Sequence, residues 1–440
     1  MKPAIATDYE TLYRRAQPTF AGCSYDWLNA LREKGLRDFL AQGFPDRASE
    51  NWKYTPMTAL GDILFVAPLK NNLSHMQLPL DPIHFQGHLL VFVGGYYHQE
   101  LSHIGILPAG IVLTHLEHAL MAYPEEVKKA ICNAGDSPFT ALNTAFMSDG
   151  LFLKIEDGVT LQEPIQCIFL DNANTSSDMM HYRHSITLGK GARADLVEYY
   201  IGTDRGLHFT NTLMQQSLGQ GATLCHYKIQ NENNQSYHVS SREVYQEENS
   251  HYISSLFSFG SHVSRYDIAV NLAEKNANCE LNGFYRVEGH QHTDTHVRVD
   301  HKKPCGNSCI VFKGIACDSA KGVFNGKVVV HPGAIKTQSS QRNKNIVLSN
   351  TAEIDTKPEL EIYADDVNCT HGATVGELDG DALFYLRSRG IFEEEAKQLL
   401  IKAFAEEMLE KVGPVYLRNH LSAMIIAKLQ QEGVTHANED

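Results

Sequence analysis

From about Ser148 onward, some 230 residues of this chain read as short β-rich runs punctuated by Gly, Asn, Asp and Ser, with almost no convincing helix among them. Within them, Leu188-Gly189-Lys190-Gly191-Ala192-Arg193-Ala194 returns thirty positions later as Leu218-Gly219-Gln220-Gly221-Ala222-Thr223-Leu224. A period of that length, made of strands and tight turns, predicts a stacked or coiled sheet in which each rung buries its face against the next. A parallel β-helix meets the pattern. So does a β-sandwich, and one echo does not separate them.

The flanks follow a different period. Between residues 10 and 60, Trp27, Leu28, Leu31, Phe39 and Leu40 recur at helical intervals, and Gly43 with Pro45 supplies a stop. Residues 60–140 are mixed: Leu89 to Val93 predicts a buried strand ended by Gly94-Gly95, and Glu117 to Ala130 predicts a helix. After Gly380 the helical period returns. Over Ile391 to Lys411 the stripe Phe392, Ala396, Leu399, Leu400, Ala403, Phe404 and Met408 opposes a face crowded with Glu and Lys. Gly413-Pro414 ends it, and Val415 to Gln431 carries a second stripe of Leu417, Leu421, Met424, Ile425 and Leu429. The expected units are a helical and mixed α/β region over 1–145, a β core over 146–380 and a helical region over 381–440.

At 440 residues, with 43% hydrophobic and 20% charged side chains, the chain has the profile of a soluble globular protein with more than one core. Its formal charge of −14 argues against nucleic acid or an anionic membrane as the main partner. No stretch has the layout of a signal peptide or of a spanning helix, so a cytoplasmic location is expected. The nine cysteines then read as free thiols, mostly small buried hydrophobes. Cys305 and Cys309, with His292, His296 and His301 just before them, are the densest set of soft-metal ligands. Their C-x-x-x-C spacing is loose for zinc, and Lys302-Lys303-Pro304 reads as an ordinary turn. His290, His292 and His296 alternate, which suits a solvated strand face first and a metal face second. No phosphate-binding G-x-x-x-x-G-K-[ST], dinucleotide G-x-G-x-x-G, G-x-S-x-G elbow or H-E-x-x-H occurs, so the chain is not expected to hydrolyse ATP or act as an enzyme.

The last quarter is the most specific. Ile354, Leu360 and Ile362 alternate with Glu353, Asp355, Glu359 and Glu361 as in a strand with one buried face, and Cys369 and His371 follow two residues apart. On an extended segment they share a face, so a thiolate and an imidazole come within reach of one metal or one sulfur species. On residue type alone, a buried thiol and a hydrogen-bonded histidine is the commoner arrangement.

The runs D-T-K-P-x-L-E-I-Y-A-D-D-V, C-T-H-G-A-T-V-G and F-Y-L-R-S-R-G-I, from Asp355 to Ile391, resemble the SufB/SufD family, the scaffold components of the SUF iron–sulfur cluster assembly system. Milder likenesses are Glu50-Asn51-Trp52-Lys53-Tyr54-Thr55, Leu142 to Phe146 with Ser148-Asp149-Gly150, and Gly158-Val159 with Glu163-Pro164-Ile165. SufB-type chains carry a C-x-x-C-D-S segment where this one reads Ser340-Gln341-Arg342-Asn343-Lys344-Asn345, so the resemblance is to the other branch. It implies a right-handed parallel β-helix core between N-terminal and C-terminal helical parts, and so decides against the sandwich. It further implies SufB as partner, SufC as an ATPase docked on the C-terminal helices near Tyr385, Arg387 and Arg389, and homodimers when the chain is isolated. His371 would join a SufB cysteine where a transient iron–sulfur cluster forms, with no cofactor held tightly by this chain alone; Cys369 would assist or serve packing. Two other readings remain: a structural module with passive Cys369 and His371, and a β-helix carbohydrate-active enzyme. The second is weakened because Asp365 and Asp366, as strand neighbours, would face opposite ways.

Overall fold

The computed structural model describes residues 4–67, 87–131, 137–171, 177–202 and 206–435. Cys132 lies outside the described residues. Helices α1 (Ala4–Ala16) and α2 (Asp26–Gln42) come first, and α2 ends on Gly43, whose N–H reaches the Phe39 carbonyl. Strands β1 (His88–Val93), β2 (Tyr96–Tyr97) and β3 (Ile111–His115) precede α3 (Leu116–Ala122), α4 (Pro124–Ile131) and α5 (Pro138–Phe146). The single helix expected over Glu117 to Ala130 is thus two. Pro124 can begin a helix but cannot continue one, because it lacks the N–H and crowds the preceding turn.

An uninterrupted run of strands follows: β4 (Leu151–Ile155), β5 (Ile165–Leu170), β6 (Asp178–Leu188), β7 (Arg193–Ile201), β8 (His208–Leu218), β9 (Thr223–Asn231), β10 (Tyr237–Gln246) and β11 (His251–Ser258). It continues through β12 (Val263–Leu272), β13 (Asn278–Val287), β14 (His292–His301), β15 (Asn307–Ala316), β16 (Lys321–Val330), β17 (Gln338–Val347), β18 (Glu353–Ile362) and β19 (Asn368–Gly376). Even-numbered strands from β4 to β18 form one sheet and odd-numbered strands from β5 to β19 the other, each strand pairing in parallel with the strand two along. This is a two-faced parallel β-solenoid, one of the two architectures the period allows and the one the resemblance implies. β3 and β1 add to the far ends of the two sheets.

The thirty-residue echo is one turn of this coil, for Leu188 pairs with Leu218. Its glycines serve the corner. Gly191 and Gly221 take φ of +66° and +69°, and the left-handed corner recurs on later rungs at Asn249, Asn276, Cys305, Lys336 and Asp366. Gly158, with φ of +73°, fills the same corner one rung earlier, but Ile155-Glu156-Asp157 before it breaks the Leu-Gly-x-Gly-Ala string, which is why one echo alone is visible. Gly221→Ala is expected to lower stability by about 1 kcal/mol through backbone strain, since open space surrounds the added methyl; a urea unfolding midpoint would register it.

Helices α6 (Gly380–Ser388), α7 (Glu393–Leu409) and α8 (Val415–Thr435) close the chain. α8 buries Leu417, Leu421, Ile425 and Leu429 of the expected stripe, with Met424 half-buried, against Tyr199, Tyr227 and Ile229 on the outside of the odd-numbered sheet. Each such side chain contributes about 2 kcal/mol when fully buried. α7 differs from expectation: it buries Ala396, Ile401, Ala405, Met408 and Leu409, while Phe392 is 82% and Leu399 43% exposed. In this facing Lys313, on the solenoid, donates to the Phe404 carbonyl at 2.9 Å and pairs with Glu407 at 2.5 Å. No helix among the described residues is long and apolar enough to cross a membrane.

Candidate functional site: the open last rung

Along most of the solenoid, side chains facing the lumen are buried by the rungs on either side. The last rung has a neighbour on one side only. No residue of β18 or β19 is fully buried. β19 lies in register on β17, with Ser339 opposite Cys369, Gln341 opposite His371 and Asn343 opposite Ala373. Ser339, Gln341, Asn343 and Asn345 are buried lumen residues, so Cys369 and His371 occupy the lumen-facing positions of the final rung. Their Cα atoms stand about 6.6 Å apart on one face, from the rise of an extended strand.

The two differ in setting. Cys369 is half-buried and packs with Leu360, Ala364 and Val367 against the lumen's apolar core. Burial pushes its thiol up, opposed by the Ser339 backbone, so it rests protonated. His371 is exposed at the mouth. As a neutral imidazole and a soft sulfur donor, the pair can ligate iron once the thiol is deprotonated.

The edges of this rung are unlike. β18 carries Glu353, Asp355, Lys357, Glu359 and Glu361, with Pro358 in its middle, features that blunt an exposed edge. β19 has neither proline nor a permanent charge, and its outer edge is open for pairing. Beyond it, Asp379 caps α6 by accepting from the Asp381 and Ala382 amides at 2.9 and 3.1 Å. No residue of α6 is buried. Phe384, Tyr385 and Phe392 are each largely exposed; the Arg389 guanidinium lies 5.2 Å from the Tyr385 ring centroid, and Arg387 pairs with Glu393 at 3.1 Å.

The other candidate ligands do not converge. Cys305 sits exposed at the left-handed corner, Cys309 contacts the Ser340 hydroxyl, and buried His301 reaches Ser308 at 2.9 Å, because neighbours in a solenoid's sequence fan out to corner, lumen and outer face. His292 and His296 point outward but are not a solvated face, which corrects the first reading of that run. The N-terminal segment Glu50 to Thr55 lies over them: Thr55 Oγ1 contacts His292 Nε2 at 2.9 Å and donates to Asp294 at 2.5 Å, and Asp294 pairs with His296 at 3.2 Å. Only His290 is open to solvent. Asp365 and Asp366 lie exposed in the turn between β18 and β19, not paired on a rung face.

Two clusters carried no sequence signal that singled them out. His115, Glu117 and Asp149 approach within 4.8 Å of one another. Asp149, from the Ser148-Asp149-Gly150 string, accepts from the backbone amides of Tyr97, Glu117 and Gly150 as well as meeting His115 Nδ1 at 3.0 Å, so it ties three segments together. Inside the lumen, Glu198 accepts from His226 at 2.8 Å, Arg242 at 2.6 Å and Tyr200 at 2.8 Å. Nearby, Lys228 donates to Ser240, and burial, opposed by Glu198, takes it down to about 7. Alternation alone put Ala194, Leu196, Glu198 and Tyr200 on one face, the only hint that this carboxylate points inward.

With this geometry, the comparisons with known proteins are decisive for class. A model of the SUF system FeS cluster assembly SufBD core domain matches residues 169–404, and one of the SufBD N-terminal region matches 3–167. The chain belongs to the SufBD family of SUF iron–sulfur cluster assembly proteins. Within it, the likeness is to SufD: the iron–sulfur cluster assembly protein SufD of Escherichia coli is 32% identical over 90% of this chain and 92% of its own length. A SufBD family iron–sulfur assembly protein of Synechocystis is 31% identical over 89% of both chains, and the chloroplastic protein ABCI7 of Arabidopsis thaliana is 26% identical over 90% of this chain and 86% of its own.

Proposed function

We propose that this chain is a non-catalytic cytoplasmic subunit of a SUF scaffold, pairing with SufB through its last rung and carrying the ATPase SufC on its C-terminal helices. The observation that supports this most directly is the asymmetry of the coil's end, where β19 leaves an open, uncharged edge carrying Cys369 and His371 while β18 is blunted. A partner strand laid along β19 would cover the mouth and bring its own donors to the imidazole. The nascent iron–sulfur cluster is cargo at that seam, with His371 as a ligand from this side and Cys369 as a second donor or packing residue. SufC would rest on the exposed Phe384, Tyr385 and Phe392, with Arg387 and Arg389 beside them. Its ATP-driven motion would reach the solenoid through α7 and the Lys313–Glu407 contact.

Co-expression with SufB and SufC, anaerobic purification through a tag on this chain, and iron and sulfide analysis test the reading. His371→Ala is expected to leave the complex intact and lower both contents several-fold. An intact complex with unaltered iron and sulfide reduces the chain to a structural partner.

A further inference from the structure

We infer that Gln341 is the positioning residue for His371: an amide acceptor held inside the mouth of the solenoid that fixes which ring nitrogen carries the proton and which faces outward. This rests on the proposed role of His371 as a donor. Gln341 is wholly buried and stands on β17 directly in register with His371, one strand spacing of about 4.8 Å away. Its side chain crosses the lumen, and Nε2 donates to the Gly326 carbonyl of the opposite sheet at 3.1 Å. A Cβ on Gly326 would lie 2.2 Å from that nitrogen, so the glycine is what permits the reach.

With Nε2 anchored, Oε1 is held inside the mouth, and it meets no donor among the described residues. The other acceptors of this strand are occupied: Ser339 Oγ by Ser308, Asn343 Oδ1 by Asn345 at 2.6 Å, and Asn345 Oδ1 by Tyr285 at 2.8 Å. Leaving a buried acceptor unmatched costs about 1–3 kcal/mol, and native proteins seldom do so. Three donors face the lumen near it from the last rung. Cys369 is a weak donor packed on apolar side chains, and Thr356, over Phe324 in the other sheet, has a hydroxyl that is also buried without a partner among the described residues and is the competing donor. His371 stands over Gln341 itself. An imidazole whose N–H is taken by a fixed acceptor presents its other nitrogen as a lone pair, the arrangement that orients metal-binding histidines.

The test is nitrogen-15 NMR of histidine-labelled isolated chain, with His371 assigned by its loss in His371→Gln. Wild type is expected to show one tautomer. Gln341→Met should give a mixture, and Thr356→Val should leave the single tautomer unchanged. Thermal unfolding confirms that each variant is folded. An identical tautomer ratio in wild type and Gln341→Met overturns the assignment. No cluster is present in this measurement, so a shifted tautomer together with unaltered iron in the His371→Ala complex would uphold the positioning and reject the ligand.

Discussion

Lowering the pH from about 6.5 to about 4 is expected to unfold the protein, most of the loss being carried by histidines that the fold holds neutral. Burial alone takes His181 down to about 3; burial, opposed by Glu198, takes His184 to about 4; and burial, opposed by Asp300, takes His301 to about 4. Once unfolded, each takes a proton near pH 6.5, an ordinary value of about 6.5. Below that pH the unfolded chain binds more protons than the folded one, so stability falls with pH until the folded values are reached. By about pH 4 each group has removed about 3 kcal/mol, and the three together rival the roughly 5–15 kcal/mol that holds a domain folded.

Carboxylates act in the same sense further down. Burial would raise Glu198 and Glu232, yet His226 and Arg242 around the first and His238 and His208 around the second hold both well below the usual range, so their contribution is lost as pH falls through those values. His208 works the other way, raised by Glu232 and Asp171 against burial, and its share is lost as pH rises. One group does not reverse the slope. Urea midpoints measured from pH 7.5 down to pH 4.5 should decline steeply. His181→Phe should flatten the decline and raise the midpoint at neutral pH, because neither His181 nitrogen meets a partner among the described residues and its ring already sits 5.6 Å from Phe146 and 5.9 Å from Phe209. A midpoint constant over that pH range would refute the account.

Arg265→Met should cost about 3–5 kcal/mol, the range for breaking a buried ion pair by removing one partner. Arg265 is 2% exposed and bonds Asp294 at 2.5 Å, Asp267 at 2.7 Å and the Asn51 carbonyl at 3.0 Å, with its guanidinium 4.4 Å from the centre of the Trp52 ring. Methionine keeps much of the stem volume but leaves Asp294 buried without its cation. The same change removes what holds the Glu50 to Thr55 segment on the solenoid. In a Trp27→Phe background, Trp52 is the remaining indole, and its emission should shift to the red before global unfolding. A loss under 1 kcal/mol with unshifted emission would mean that the segment is held elsewhere.

A repeated strand-and-turn architecture was legible because the corner needs a left-handed residue on each turn, which Gly191 and Gly221 meet visibly, but that single echo suits a sandwich as well, and it was the family resemblance that selected the solenoid. The stripe of α8 was legible because four residues at uniform spacing all go inside. α7 was not, since a stripe assumes that every apolar residue seeks the same core, whereas Phe392 and Leu399 face solvent. Cys369 and His371 could be placed on one face from their spacing, but the open mouth depends on the coil ending there, which no local pattern encodes. The lumen's charged centre was hidden for a different reason. Glu198, His226, Lys228 and Arg242 look like solvent-facing positions unless the strand's inward side is already known.

A coil with one unfinished turn also carries a rule about quantity. Each copy offers a single vacant β19 edge; under the proposed pairing a matched supply of partner would cover them all, while copies made in excess would keep theirs uncovered and open to one another. Partner binding to the folded form alone also adds to its stability by mass action. Under the proposed pairing with SufB, the working amount of this protein would be set by its partner's concentration, and overproduction alone would yield self-associated chain and no additional scaffold.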